Sequence, residues 1–261
     1  MGRALIGGLL RAGWRAEELS VAESQAPARE AVIRDFGISA SADNPAAVAG
    51  AAIVVLAVKP QDAAALLQPL AALLAAERPL LISVAAGVRV AALESWCGQG
   101  VPVMRAMPNR PARIGAGATG VYAPVAVAAE QRAAAGRVLQ ALGEVFWVEA
   151  EELLDVVTAL SGSGPAYFFL LAELMAEAGT ELGLESSVAQ RLAAATLYGS
   201  GLLVRNGDGD LARLRQEVTS TGGTTEAALR TLEAADLRGM VRAALSAATQ
   251  RGRELAAVRA S

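Results

Sequence analysis

Two short apolar runs rich in β-branched residues, AAIVVLAVK (51–59) and LLISVAAG (80–87), flank a stretch of helical pattern, DAAALLQPLAALLAAE (62–77). Runs of this kind without polar alternation mark strands buried on both faces, and a helix between them makes a parallel crossover. The alternation extends in both directions. Residues 3–12 and 26–37 read as helices around a short strand at 19–23. VPVMRAMPN (101–109) and GATGVYAP (117–124) follow, then a helix over 126–142 and a last strand at 145–149. Residues 1–150 are therefore expected to fold as an α/β domain, a Rossmann-like doubly wound parallel sheet.

Beyond residue 150 the strand signal stops. Helices are expected over 165–183, 186–207 and 224–258, the last broken near Asp236, so residues 151–261 form an all-α domain. The helix 165–183 has a proline at its start and apolar residues nearly all round, which predicts deep burial. The helical half carries more apolar surface than it can bury alone, and this implies a partner subunit. The charge-free stretch 156–172 contains Gly, Ser and Pro and is expected to fall short of a membrane span. The opening MGRALIGGLLRAGW reads as structure rather than as a signal peptide, so no membrane partner is expected.

Composition removes several chemistries. The chain has no histidine, which excludes Ser–His and Cys–His catalysis and argues against a transition-metal site. A formal charge of −3, with no basic run, gives no footprint for nucleic acid. The one cysteine, Cys97, cannot form an internal disulfide and fits a reducing, cytoplasmic compartment.

The first residues look like the end of a motif. A dinucleotide-binding sheet opens with a strand, then G-x-G-x-x-G, then a helix. Here Gly2 stands where the last glycine of that fingerprint would, and Glu23 lies near the spacing expected of the acidic residue after the second strand. The first strand is missing. Its neighbours in a doubly wound sheet would stand about 10 Å apart. Their unpaired backbone groups would cost roughly 1–3 kcal/mol each. A start site placed too far downstream, or a truncated chain, is the expectation.

One further stretch carries chemistry. VTSTGGTTEAALRTLE (218–233) puts hydroxyls and two adjacent glycines directly before a helix. Such a turn offers unpaired amides and a positive dipole end to a small anion. The plain alternative is a capped alanine-rich helix, with Thr225 as the cap and Glu226 in the first turn.

Taken together, MGRALIGGLL, AVKPQ (57–61), SVAAG (83–87), MPN (107–109), ALSGSGPAYFF (159–169) and VTSTGGTT (218–225) resemble the pyrroline-5-carboxylate reductases over nearly the whole chain. LSGSGPAY followed by TSTGGTT is the specific part; members usually carry proline where this chain has Thr221. The resemblance implies reduction of 1-pyrroline-5-carboxylate, a cyclic imine bearing a carboxylate, to L-proline. NADPH or NADH would supply the hydride, and the ring nitrogen would take its proton from water. It implies Ser220 and the amides of Gly222, Gly223 and Thr224 as the carboxylate cradle, and the Thr225 hydroxyl as partner of the ring nitrogen.

The same resemblance implies Gly2, Ser24, Asn44, Ala57, Val58, Lys59, Pro60, Val84, Ala85 and Ala86 as cofactor contacts. Asn109 is a further contact or a turn former. Glu23 would favour NADH, Ser24 NADPH, and the two readings stay open. Tyr167 is read as core or interface. The family's interlocked helical domains imply an obligate dimer, with a decamer as the further assembly open to it. The alternatives are a related imine or β-hydroxyacid reductase and a non-catalytic dinucleotide-binding or dimerising remnant. Residues 165–184 lack the lysine a β-hydroxyacid enzyme would need.

Overall fold

A computed structural model describes residues 1–207 and 209–260; Asp208 and Ser261, both within the expected helical domain, lie outside the described residues. The chain divides into two compact units, residues 1–163 with 248–261, and residues 164–247.

The first unit runs α1 (Gly2–Arg11), β1 (Val21–Ala22), α2 (Ala26–Phe36), β2 (Ala40–Ser41), α3 (Asn44–Val48), β3 (Ile53–Leu56), α4 (Ala63–Leu67) and α5 (Ala71–Glu77). It continues with β4 (Leu80–Ser83), α6 (Val90–Cys97), β5 (Val103–Pro108), β6 (Gly117–Tyr122), α7 (Ala129–Gln140), β7 (Gly143–Trp147) and α8 (Leu153–Val157). The run 62–77, expected as one helix, is interrupted by a 3-10 turn at Gln68–Leu70. Pro69 explains the break, because it has no N–H to continue the helical ladder.

The strands form two separate sheets. One has the order β3-β4-β5-β6-β7; the other holds only β1 and β2, paired in parallel. The main sheet is not parallel throughout, as had been expected. β5 and β6 are antiparallel, with Arg105 opposite Tyr122 and Pro108 opposite Thr119. Only a short 3-10 turn, Arg110–Ile114, joins them, too little chain for a crossover helix.

The core has two layers. Leu80 and Ile82 of β4 face a cluster with Leu5, Leu9, Leu139 and Leu142, while Leu81 faces another with Leu67, Leu74, Leu93 and Cys97. Leu80, Leu81 and Ile82 are at most 1% exposed, and each such side chain contributes about 1.5–3 kcal/mol. β3 differs from expectation. Ile53, Val54 and Val55 are only half-buried, because β3 pairs with β4 on one edge and, among the described residues, has no strand on the other. α1 sits close against the end of α7: a Cβ at Gly8 would collide with the Ala141 carbonyl oxygen.

The second unit is helical. α9 (Gly164–Glu181) and α10 (Ser186–Asn206) pack through Ala172 and Ala176 against Ala189 and Ala193, small residues that let two helices approach closely. α11 (Leu211–Glu217), which sequence patterning had not indicated, is capped by Asp210. α12 (Thr224–Ala234) and α13 (Leu237–Ala260, whose residues from 248 on count with the first unit) are separated at Asp236, as expected; that residue has φ 55° and accepts from the Gly239 amide at 3.1 Å. Deep burial of α9 is not found within the protomer. Phe168, Phe169, Leu170, Leu171, Leu174 and Met175 are all at least half exposed. An 18-residue window within the helical run Leu153–Glu181 reaches a mean hydropathy of 1.3, long and apolar enough for a membrane span by length and composition alone, a test that an apolar helix of a soluble protein also passes.

Candidate functional site

Parallel pairing of β3 and β4 places Leu56 opposite Ser83, so the chain leaves both strands at one level. The Val84 amide donates to the Leu56 carbonyl at 3.1 Å, extending the ladder by one bond. Ala57, Val58, Lys59 and Pro60 are thereby set beside Val84, Ala85 and Ala86, with Ala57 and Lys59 exposed and Ala85 buried. Crevices outside the carboxyl ends of strands are where open α/β sheets bind ligands.

Gly2, the first residue of α1, stands at the same level: its missing Cβ would lie 3.6 Å from the Ala57 Cβ. A glycine at a helix N-terminus lets a phosphate approach unpaired amides at the positive end of the helix dipole. Gly2, Asn44, Ala57 and Val58 line one cavity together with Glu23, whereas Ser24, Lys59, Pro60, Val84, Ala85, Ala86 and Asn109 lie outside its lining. Asn44 opens α3, whose first turn is capped by the Asp43 carboxylate accepting from the Ala46 amide at 3.0 Å.

The Glu23 carboxylate is already engaged by the Gln25 amide at 2.9 Å. Arg29 donates from Nη1 to the carbonyls of Glu23 and Ser24, at 2.8 and 3.3 Å. This guanidinium went unnoticed in the sequence. The available signal was an arginine in the first turn of α2, seven residues after β1 ends, a natural place for a phosphate partner.

Asn109 is bound on both sides of its amide. Nδ2 donates to the Ser161 carbonyl at 3.1 Å, and Oδ1 accepts from the Ala118 amide at 2.9 Å. SGSGP does not simply begin a helix. Thr158–Gly162 form a π turn closed by the Ser163 amide on the Thr158 carbonyl at 2.8 Å. A largely buried ion network lies nearby in the chain: Arg105 Nη1 meets Glu151 Oε1 at 2.8 Å, and Arg89 Nη2 meets Asp155 Oδ2 at 2.5 Å. Burial pushes the Arg105 guanidinium below its ordinary pKa, opposed by hydrogen bonding to Glu151. No group of metal-ligating side chains occurs among the described residues.

In the second unit the bend before α12 has its own geometry. Gly223, not Thr225, is the N-cap, because the helix already begins at Thr224. Gly222 has φ 70°, a left-handed conformation that a side chain disfavours. The Gly223 amide donates to the Ser220 carbonyl at 3.0 Å. The Gly222 amide donates to Glu226 Oε2 at 2.6 Å, so a carboxylate already sits on this bend. Thr224 and Thr225, in the first helical turn, lack i−4 acceptors of their own and present their amides at the positive end of the dipole.

Comparison with known proteins gives a consistent picture. Residues 151–255 match the family model for pyrroline-5-carboxylate reductase dimerisation, and residues 1–87 match that for NADP oxidoreductase, coenzyme F420-dependent. A pyrroline-5-carboxylate reductase of Pseudomonas aeruginosa is 44% identical over 98% of this chain and 93% of its own length. A solved pyrroline-5-carboxylate reductase of Coxiella burnetii superposes with a TM-score of 0.94 at 36% identity, covering 97% of this chain and 94% of that one. The Plasmodium falciparum pyrroline carboxylate reductase solved with NADP bound gives 0.81 at 27% identity, covering 98% and 94%.

Proposed function

The chain belongs to the pyrroline-5-carboxylate reductase family, and on that premise we propose that the Ser220–Thr225 bend holds the substrate carboxylate while the β3 and β4 strand ends hold the cofactor. The protein is an oxidoreductase that reduces 1-pyrroline-5-carboxylate to L-proline at the expense of NAD(P)H. The observation that carries the site reading is the bend itself. Gly222 is held left-handed, and its amide already takes one carboxylate, that of Glu226.

Ser220, Gly222, Gly223 and Thr224 are the substrate-binding residues of this reading, with Glu226 yielding the Gly222 amide when substrate arrives. The Thr225 hydroxyl orients the ring nitrogen. Gly2, Ser24, Asn44, Ala57, Val58, Lys59, Pro60, Val84, Ala85 and Ala86 hold the dinucleotide along the strand ends. Asn109 acts on that crevice indirectly, through the backbone it ties down. When bound there, NAD(P)H would supply the hydride for the imine carbon, the C=N π pair would pass to nitrogen, and nitrogen would take its proton from water. The chain's own contribution is to fix carboxylate and nitrogen so that one face of the imine is presented, a positioning effect worth several kcal/mol of the barrier. No histidine is needed for it.

In this reading Arg29, whose guanidinium bonds the Glu23 and Ser24 carbonyls, supplies the positive charge that favours NADPH over NADH, while the Glu23 carboxylate is engaged by the Gln25 amide. The exposed α9 face is the homodimer surface, with a decamer as the higher assembly and neither membrane nor nucleic acid as partner. The cytoplasm is the proposed compartment.

The decisive experiment mixes the purified protein with pyrroline-5-carboxylate and NADPH and follows nicotinamide absorbance. Loss of absorbance with proline as product supports the reading. NADPH binding without turnover would favour a non-catalytic dinucleotide-binding protein.

A further inference from the structure

Glu226 is the third residue of α12, where a glutamate ordinarily reaches back to the amide of the N-cap residue. Here it reaches one residue further. The amide of the N-cap, Gly223, donates to the Ser220 carbonyl at 3.0 Å, and Glu226 Oε2 accepts instead from the Gly222 amide at 2.6 Å. Gly222 holds this pose with a left-handed φ of 70°. Ser220 Oγ lies against the same turn, since a Cβ at Gly223 would collide with it.

The carboxylate has a second seat within reach. Arg230, one turn further along α12, brings Nη2 to 3.8 Å from the same Oε2 atom. Glutamate four residues ahead of a cation is the favourable order on a helix. Glu226 Oε2 thus stands between two donors, hydrogen-bonded to the Gly222 amide and only at the outer limit of an ion pair with Arg230. The two side chains are 39% and 76% exposed, so packing locks neither of them in place.

We infer that Glu226 is an internal competitor for the substrate carboxylate, with Arg230 as the seat it takes when displaced. The inference rests on the reading of Ser220–Thr225 as the carboxylate cradle. An incoming carboxylate needs the Gly222 amide, and one N–H cannot serve two carboxylates whose charges repel each other. The bend accepts a ligand only in the fraction of molecules whose Glu226 has moved to Arg230, and the apparent affinity is reduced by that fraction. Substrate and product carry the same carboxylate, so the returning Glu226 displaces either one. Glu226 is a positioning residue, acting through the Gly222 amide: it weakens uptake of the imino acid and hastens the departure of L-proline.

The test compares steady-state kinetics of the parent with Glu226→Ala, Glu226→Gln, Arg230→Ala and Ser220→Ala, each checked for an intact fold by thermal melting. In Glu226→Ala, KM for pyrroline-5-carboxylate and the inhibition constant for L-proline should fall together, by about three- to tenfold, with kcat within about twofold of the parent. Glu226→Gln, which keeps an acceptor without the charge, should fall between the two. Arg230→Ala should raise both constants about threefold, because the competitor loses its other seat. A raised KM in Glu226→Ala overturns the inference and leaves Glu226 as a helix cap. So does an unchanged KM there while Ser220→Ala raises it. Unchanged KM in both Glu226→Ala and Ser220→Ala overturns the cradle reading as well.

Discussion

Asn109 Nδ2 donates to the Ser161 carbonyl, 3.1 Å away, and the reason lies four residues further along the chain. Pro165 has no N–H, so the Ser161 carbonyl lacks the donor an α-helix would give it. The side chain of Asn109, at the end of β5, supplies the bond and so ties the π turn to the sheet. Asn109→Ala leaves that carbonyl and the Ala118 amide without partners, at roughly 1–3 kcal/mol each if water does not reach them. The melting temperature should fall by about 4–12 °C, as read by calorimetry. A fall of less than a degree would show that the tie is dispensable.

Arg29→Ala should raise KM for NADPH about tenfold or more and leave KM for NADH nearly unchanged. Steady-state kinetics with each cofactor checks this. Equal losses with both would assign Arg29 to holding the Glu23–Ser24 backbone alone.

Thr225→Ala should lower kcat/KM about tenfold, the equivalent of one lost hydrogen bond near 1.4 kcal/mol. Thr225→Ser should restore most of it. If serine fails while the protein remains folded, the methyl group rather than the hydroxyl is the feature that matters.

Half-exposed side chains on α9 gain about 1 kcal/mol each when covered, so the six together supply several kcal/mol to an interface. Leu171→Asp should therefore shift the protein to monomer in sedimentation velocity and abolish proline formation. A stable, active dimer in this variant would move the interface elsewhere.

Cys97 is fully buried, and burial pushes its thiol up to about 11 from an ordinary 9.0. The native thiol stays neutral while the unfolded one ionises. This contribution to stability is complete below pH 9 and is lost as the pH rises towards 11, at up to about 1.4 kcal/mol per pH unit. Urea titrations between pH 8 and 11 should show this slope in the parent and a shallower one in Cys97→Ala. The native thiol should also resist a disulfide reagent at pH 8.

The α/β alternation, the all-helical second half and the break at Asp236 were legible because each depends on local pattern: apolar runs, 3.6-residue periodicity, and a residue tolerant of positive φ. The β5–β6 reversal was not, since the turn Arg110–Ile114 gives no sign of which edge the next strand will choose. α9 was misjudged for a different reason. Apolarity signals that a surface will be covered, not whether the cover comes from the same chain. At the candidate site, glycines and hydroxyls could be found by motif. Arg29 and the Glu226 bond to Gly222 could not, because both depend on where long side chains come to rest.

The contact of Gly8 with the Ala141 carbonyl has a mechanical outcome. Backbone touches backbone there, and no rotamer change can bring α1 and the end of α7 nearer to each other. Since Leu5, Leu9 and Val138 hang from these same two elements, the ceiling over the gap between β1 and β3 keeps its height without support from below.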